Sequence, residues 1–351
     1  MSAKTIAVVG VTGNQVSPPH RPPSHHLISF LTWYQGGSVA SLFSTLPEWH
    51  VRGITRDPSK PSAASLKDQG IDLVAADLDD VPSLKKAFEG AAVVFGVTDF
   101  WQHVQNPANH AVAASRNVTI NEIAYENEVK QGRNIVDAAA ATSGLERFVL
   151  GTINSTKKLS GGKITFNLHF DAKWEAVDYC KEKYPELWEK TSLLQLGMFA
   201  SNWKSGLGGP KKGEDGKFTM QMALSGDKKV PQVDVNKDTG RFVQALLAIP
   251  PKVNMMGAGS LISWNEYLAI WSRVNKVHVE YQQIDRAALE QMLGTVGREF
   301  ADMFQYIEEF GYDGGDPDVV YPWEVKEKYG VDVKYTTMEE YIKGEDWSSV
   351  L

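Results

Sequence analysis

The strongest constraint on what this chain can fold into lies at its very start. Thr5–Val9 (TIAVV) is a short apolar, β-branched run, and Gly10-Val11-Thr12-Gly13-Asn14-Gln15 follows at once. A buried strand running into a glycine turn predicts the first junction of a dinucleotide-binding βαβ unit. Gly10 permits the tight turn, and Gly13 lets backbone N–H groups approach a pyrophosphate. Another glycine is due three residues further on, at the head of a helix whose N-terminus faces the phosphates. Position 16 is Val instead.

The continuation stands at Gly36-Gly37-Ser38-Val39-Ala40-Ser41-Leu42-Phe43, a helix start with apolar residues at 39, 42 and 43. Joining Gln15 to Gly36 gives GVTGNQGGSVASLF, the G-x-x-G-x-x-G spacing of NADP-binding reductases. Residues 16–35 therefore interrupt the motif. This stretch, VSPPHRPPSHHLISFLTWYQ, contains four prolines and three histidines and has no helical or strand period. Two readings stay open. One is an intron retained in the message: the segment is a whole number of codons, opens on Val (always a GT codon) and closes on Gln, for which CAG is a codon. The other is a surface loop over the phosphates, although α/β connections usually run about 2–6 residues. His20, His25 and His26 have no carboxylate or cysteine partners in the stretch, so no metal site is expected there.

A chain of 351 residues, 42% apolar, can bury a real core in two domains or in one large domain with a lobe. Net charge is −7 and no basic tract occurs, so direct nucleic-acid binding has no support, while regulation through a protein partner stays open. The single cysteine, Cys180, excludes an internal disulfide. No signal peptide precedes Thr5, and residues 27–35 are too short an apolar run to span a bilayer. A cytoplasmic protein is expected, with the nucleus as a second compartment, and no membrane attachment.

Further along, His50–Thr55 reads as the second strand, ending in Arg56-Asp57-Pro58-Ser59-Lys60. An acid ending this strand would bind the ribose hydroxyls of NAD, whereas Arg56 can pair with the 2′-phosphate of NADP. Ile71–Ala75 is the third strand, delivering Ala76-Asp77-Leu78; Asp77 either accepts from an adenine amino group or caps its own turn. Val81–Phe88 reads as a helix, and Ala91–Val97 as a strand covered on both faces. That strand presents Thr98, Asp99 and Phe100 at the carboxyl edge of the sheet. A polar stretch at 102–120 leads into a long helix around Asn121–Thr142, with Val129, Ile135, Val136 and Ala139 on its apolar face. Arg147–Leu150 and Thr191–Leu196 are the fifth and sixth strands. Alternating strands and helices imply right-handed crossovers and a parallel sheet.

The segments VTDFW, NEVKQGRNIVDAA, KKLSGGKI and HFDAKWEAVDY resemble the NmrA-like family, an atypical branch of the short-chain dehydrogenase/reductases. The similarity continues through FGYDGGDPDVVYP and TTMEEYIKGEDW. Known members include a fungal nitrogen-repression regulator and an NADPH-sensing protein of animals. The resemblance implies a doubly wound parallel sheet of the extended Rossmann type over residues 1–195 and a smaller α+β lobe over 196–351. It also implies an NADP site. That site takes in the turn Gly10–Gln15 with Gly36, then Arg56, Asp77, Leu78, Thr98–Phe100 and Lys130. Lys173 and the segment Phe199-Ala200-Ser201-Asn202, closing over the nicotinamide, complete it.

Active members of the wider superfamily use Tyr-x-x-x-Lys, which places both side chains on one helix face. Residues 169–173 read His-Phe-Asp-Ala-Lys, so Lys173 matches and His169 stands where Tyr belongs. Histidine carries protons near neutral pH, which leaves His169 and Lys173 as the candidate catalytic pair; His169 as a bystander at the helix start is the alternative. A literal Tyr179-x-x-x-Lys183 is set aside, because the family match falls on HFDAK. Two functions follow: an NADP-dependent oxidoreductase for a small, secondary-metabolite-like substrate, or a redox sensor of the NADPH/NADP ratio that regulates a protein partner. A homodimer is a further expectation; no metal is expected.

Overall fold

The computed structural model describes residues 3–12, 34–206 and 208–351. Gly13, Asn14, Gln15 and the interrupting stretch up to residue 33 lie outside the described residues.

The first six strands are β1 (Lys4–Val9), β2 (Trp49–Thr55), β3 (Asp72–Ala75), β4 (Val93–Gly96), β5 (Arg147–Thr152) and β6 (Thr191–Leu196). Helices α1 (Tyr34–Ser44), α2 (Pro61–Asp68), α3 (Val81–Phe88), α4 (Phe100–Gln105), α5 (Pro107–Arg116) and α6 (Ile120–Ala140) alternate with them. Two later strands, Asn254–Gly257 and Val319–Val320, complete an eight-stranded sheet. Its order is Val319–Val320, Asn254–Gly257, β6, β5, β4, β1, β2, β3, and every neighbouring pair is parallel. This is the expected doubly wound Rossmann sheet. Strand order reverses between β1 and β4, and ligands of such sheets sit in the crevice beyond that point.

Both faces are covered. On one side α1 and the helix Val235–Ala248 pack together, with Val39, Phe43, Phe242 and Leu246 fully buried. On the other, α3, α6 and the helix Leu168–Lys183 bury Leu84, Phe88, Ile135, Val136 and Val177. Strands enclosed in this way can be continuously apolar, as β4 (VVFG) is. Cys180 sits in this second layer, where burial pushes its thiol up to about 11.

The chain beyond residue 195 both extends the sheet and forms the smaller lobe. The lobe holds two three-stranded sheets, Ser260–Ile262 with Val230–Val233 and Met198–Phe199, and Val279–Gln283 with Phe218–Met222 and Lys211–Lys212. Helices Trp264–Asn275 and Thr295–Phe310 line its core, where Tyr267 and Trp271 are buried as the spacing predicts. No described helix is long and apolar enough to cross a membrane.

Two local features add to or correct the sequence reading. The polar stretch 102–120, for which the sequence predicts no element, is largely helical: Asp99 and Asn106 accept from the backbone N–H of Trp101 and Ala108, and Pro107 opens α5. Each short polar side chain starts a new helix by satisfying a first-turn donor. The first helix begins at Tyr34, two residues before Gly36, so Gln35 belongs to it.

Candidate functional site

The turn after β1 bends through Gly10 at φ +74°, a left-handed conformation that glycine adopts without strain. Gly36 then lies against the end of that strand: a Cβ there would stand 2.3 Å from the Val9 carbonyl oxygen. Only glycine permits so close a crossing. The two sides of the interruption thus meet directly.

Beyond this junction a groove of about 670 Å³ runs along the carboxyl ends of β1 to β4. Gly10, Thr12, Arg56, Asp77, Leu78, Thr98, Asp99 and Lys130 line it, joining eight residues that the sequence had marked. Thr12 and Thr55 are hydrogen-bonded through their hydroxyls at its start. Arg56 and Lys60 make a cationic rim. Asp57, the acid next to Arg56, is engaged in its own turn. Its Oδ1 accepts from the Ser59 hydroxyl at 2.5 Å and the Ser59 N–H at 2.9 Å, which hold the carboxyl below its ordinary range. Asp77 Oδ1 likewise accepts from the Asp79 N–H at 2.9 Å, the turn-capping alternative. Lys130 pairs with Asp79 at 3.1 Å, and Gln131 donates to the same carboxylate at 2.9 Å. Burial works to raise Asp79, but these two donors outweigh it and hold the group low.

Behind the groove is a second, apolar cavity of about 180 Å³, enclosed by Trp101, Phe300, Phe304, Met198, Met303 and Trp264 among others. His169, Lys173, Phe199 and Asn202 all line it. A buried polar bridge connects the two spaces. Thr98 Oγ1 donates to Glu128 Oε1 at 2.8 Å, and the Lys173 ammonium donates to the same oxygen. Glu128 is fully buried and Lys173 nearly so. Thr98 faces the groove, whereas Lys173 faces the cavity.

His169 and Lys173 lie one turn apart at the start of the Leu168–Lys183 helix. The imidazole is packed among Phe100, Trp101 and Phe170, at ring separations of 5.9, 5.1 and 4.8 Å. Its Nδ1 is 2.7 Å from Oε1 of the fully buried Glu299. The alternative Tyr179 is tied elsewhere: its hydroxyl donates to Asp137 Oδ1 at 2.8 Å, against α6.

Besides Gly36, which has no side chain and lies under the end of β1, four marked residues line neither space. Val11 is buried in the core between β1 and β2, and Phe100 packs beneath His169. Ala200 is buried in the lobe core and Ser201 is half-buried in a single 3-10 turn, Ala200–Ser205. In each case packing takes the side chain away from the site. The sequence reading missed Lys60, Asp79, Glu128 and Glu299. Glu128 carried a signal: it shares the helix face of Ala124, Gly132 and Ile135, a carboxylate on an apolar stripe. Glu299 did too, lying in line with Met303 and Ile307.

Comparison with known proteins agrees with this fold. The model of the NmrA-like family matches residues 31–342. An NmrA-like family domain-containing oxidoreductase, FrzB of Cladobotryum sp., is 24% identical over 297 residues, spanning 80% of this chain and 76% of the relative. Another, malD of Malbranchea aurantiaca, is 22% identical and spans 88% of each chain. Among solved structures, the negative transcriptional regulator NmrA in complex with NADP superposes with a TM-score of 0.67 at 18% identity, covering 98% of this chain and 95% of that one. At that identity the likeness establishes the fold. The family match spans most of the chain, and so this protein belongs to the NmrA-like family.

Proposed function

We propose that this protein is an NADP(H)-dependent oxidoreductase that acts on a small, largely apolar carbonyl compound or the matching alcohol. The observation that carries the reading is the bridge Thr98–Glu128–Lys173, which joins a polar, cation-rimmed groove to an apolar cavity. The donor set fits a phosphorylated dinucleotide: hydroxyls at the first turn, and Arg56 and Lys60 where a 2′-phosphate would lie. When bound, such a cofactor supplies or accepts a hydride. The chain's own residues do the rest: Lys173 presents an ammonium to the cavity, aromatic and methionine side chains exclude water, and His169 handles the proton.

The names of the relatives support this reading, since FrzB and malD are both described as oxidoreductases. The solved NmrA complexes contain NADP in one case and NAD in another. A cytoplasmic site of action is part of the proposal. So is the alternative of a redox sensor, which the absence of Tyr at position 169 favours.

A panel of apolar ketones, enones and quinones, assayed by NADPH consumption, tests the reading. At least one member should be consumed well above the blank. Tight NADPH binding with no consumption across the panel would replace the enzyme by the sensor, with a protein partner as its target.

Removing residues 16–35 bears on the same site. The join would place Gln15 where Gln35 now begins the contact with the cavity, the same residue type at the same position. The shortened chain should fold and bind NADPH at least as tightly as the full one, measured by titrating both. Loss of binding on deletion would show the stretch to be part of the working protein.

A further inference from the structure

Resting on the oxidoreductase reading, we propose that Glu299 is a positioning residue for His169, holding its Nδ1–H so that Nε2 exchanges the proton with substrate. The smaller lobe supplies this carboxylate to a helix of the Rossmann domain, from the Thr295–Phe310 helix.

Every hydrogen-bonding contact to Glu299 among the described residues comes from a donor. Its Oε1 accepts the His169 backbone N–H at 2.8 Å and lies 2.7 Å from His169 Nδ1; its Oε2 accepts from Asn121 Nδ2 at 3.0 Å. A ring with its lone pair on Nδ1 would set that lone pair against a carboxylate, so Nδ1 carries the hydrogen. Nε2 is then left toward the cavity that His169 lines. The three surrounding aromatic rings keep the imidazole from turning. Glu299 is fully buried, and His169 is its ion-pair partner among the described residues. A buried carboxylate is tolerated only when its oxygens are paired or hydrogen-bonded, and the His169 ring and backbone N–H, with Asn121, supply those bonds. Asp171, also buried nearby, is occupied by Ser155 and by the Lys157 N–H, and Lys173 by Glu128.

In the reductive direction the carbonyl carbon accepts a hydride from the reduced nicotinamide dinucleotide. The π pair of the C=O bond moves to oxygen and takes the proton from Nε2–H, leaving a neutral ring that still donates Nδ1–H to Glu299. Oxidation of the alcohol runs the same transfers in reverse, and Glu299 stays a carboxylate throughout.

A purely structural role competes with this one, because Glu299 also caps the first turn of the helix through the His169 N–H. Glu299→Gln separates them. The amide oxygen keeps both contacts to His169, and Asn121 Oδ1, which has no hydrogen-bond partner among the described residues, can receive the new NH₂ once Asn121 turns over. Capping survives while the charge is lost.

Two measurements decide. The first is the ¹⁵N spectrum of the imidazoles in the protein without cofactor, with His169 assigned by its loss in His169→Gln. The neutral ring should be the Nδ1–H tautomer in wild type, and should revert to Nε2–H in Glu299→Ala. An Nε2–H ring in wild type overturns the proposal whether or not any substrate has been found, so it fails separately from the oxidoreductase reading. The second is turnover of a panel substrate: Glu299→Gln should lower kcat by roughly ten- to a hundredfold with KM little changed. An unchanged kcat would reduce Glu299 to a helix cap.

Discussion

Lys173→Met should destabilise the fold by about 3–5 kcal/mol, the usual cost of removing one partner from a buried ion pair. Glu128 is fully buried, and its Oε1 is shared by the Lys173 ammonium and the Thr98 hydroxyl. Its Oε2 has no hydrogen-bond partner among the described residues, so the ammonium is what compensates the charge. Methionine nearly replaces the volume of the lysine stem, which keeps any cavity contribution small. Urea unfolding of the two proteins measures the effect. Adding Glu128→Gln to the same variant should restore most of the loss, because a neutral amide can still accept from Thr98. A Lys173→Met protein as stable as wild type would mean that the pair is maintained only for the ligand. The comparison matters for function, since a drop in activity at Lys173 would otherwise be read wholly as chemistry.

The second large effect is expected at the rim of the groove. Arg56→Asp should move cofactor preference from NADPH towards NADH, with NADPH affinity falling roughly ten- to a hundredfold or more through loss of a charge-assisted contact. The new carboxylate would also repel a 2′-phosphate and could accept from ribose hydroxyls, so the two cofactors should respond in opposite directions. Lys60, on the same rim, gives a control: Lys60→Ala should weaken NADPH binding without improving NADH binding. Titration of both cofactors against all three proteins reads this out. If wild type binds NADH as tightly as NADPH, Arg56 does not select the cofactor.

The correspondence between pattern and structure is uneven along the chain for reasons visible at single residues. Val81–Phe88 and Thr191–Leu196 fall where their apolar pattern places them, because helical and strand periods are local properties. Around 102–120 no period stands out: α4 and α5 are short, and their starts are made by Asp99 and Asn106, polar residues that cap the first turns. The groove was largely legible, since Gly10, Arg56, Asp77 and Thr98 all sit at or just beyond strand ends, and a parallel sheet brings strand ends to one edge.

The cavity and its charges were decided by the tertiary structure. From the residues alone came the parallel sheet, the groove at its carboxyl edge and the pairing of His169 with Lys173 one helical turn apart. No spacing rule connects Glu128 to Lys173 across 45 positions, or Glu299 to His169 across 130. Those pairs exist because α6 and the Leu168–Lys183 helix pack on the same face of the sheet, and because the Thr295–Phe310 helix closes over the first turn of the latter. A carboxylate becomes a ligand, a cap or a counter-ion through what packs against it, and that is a property of the folded molecule.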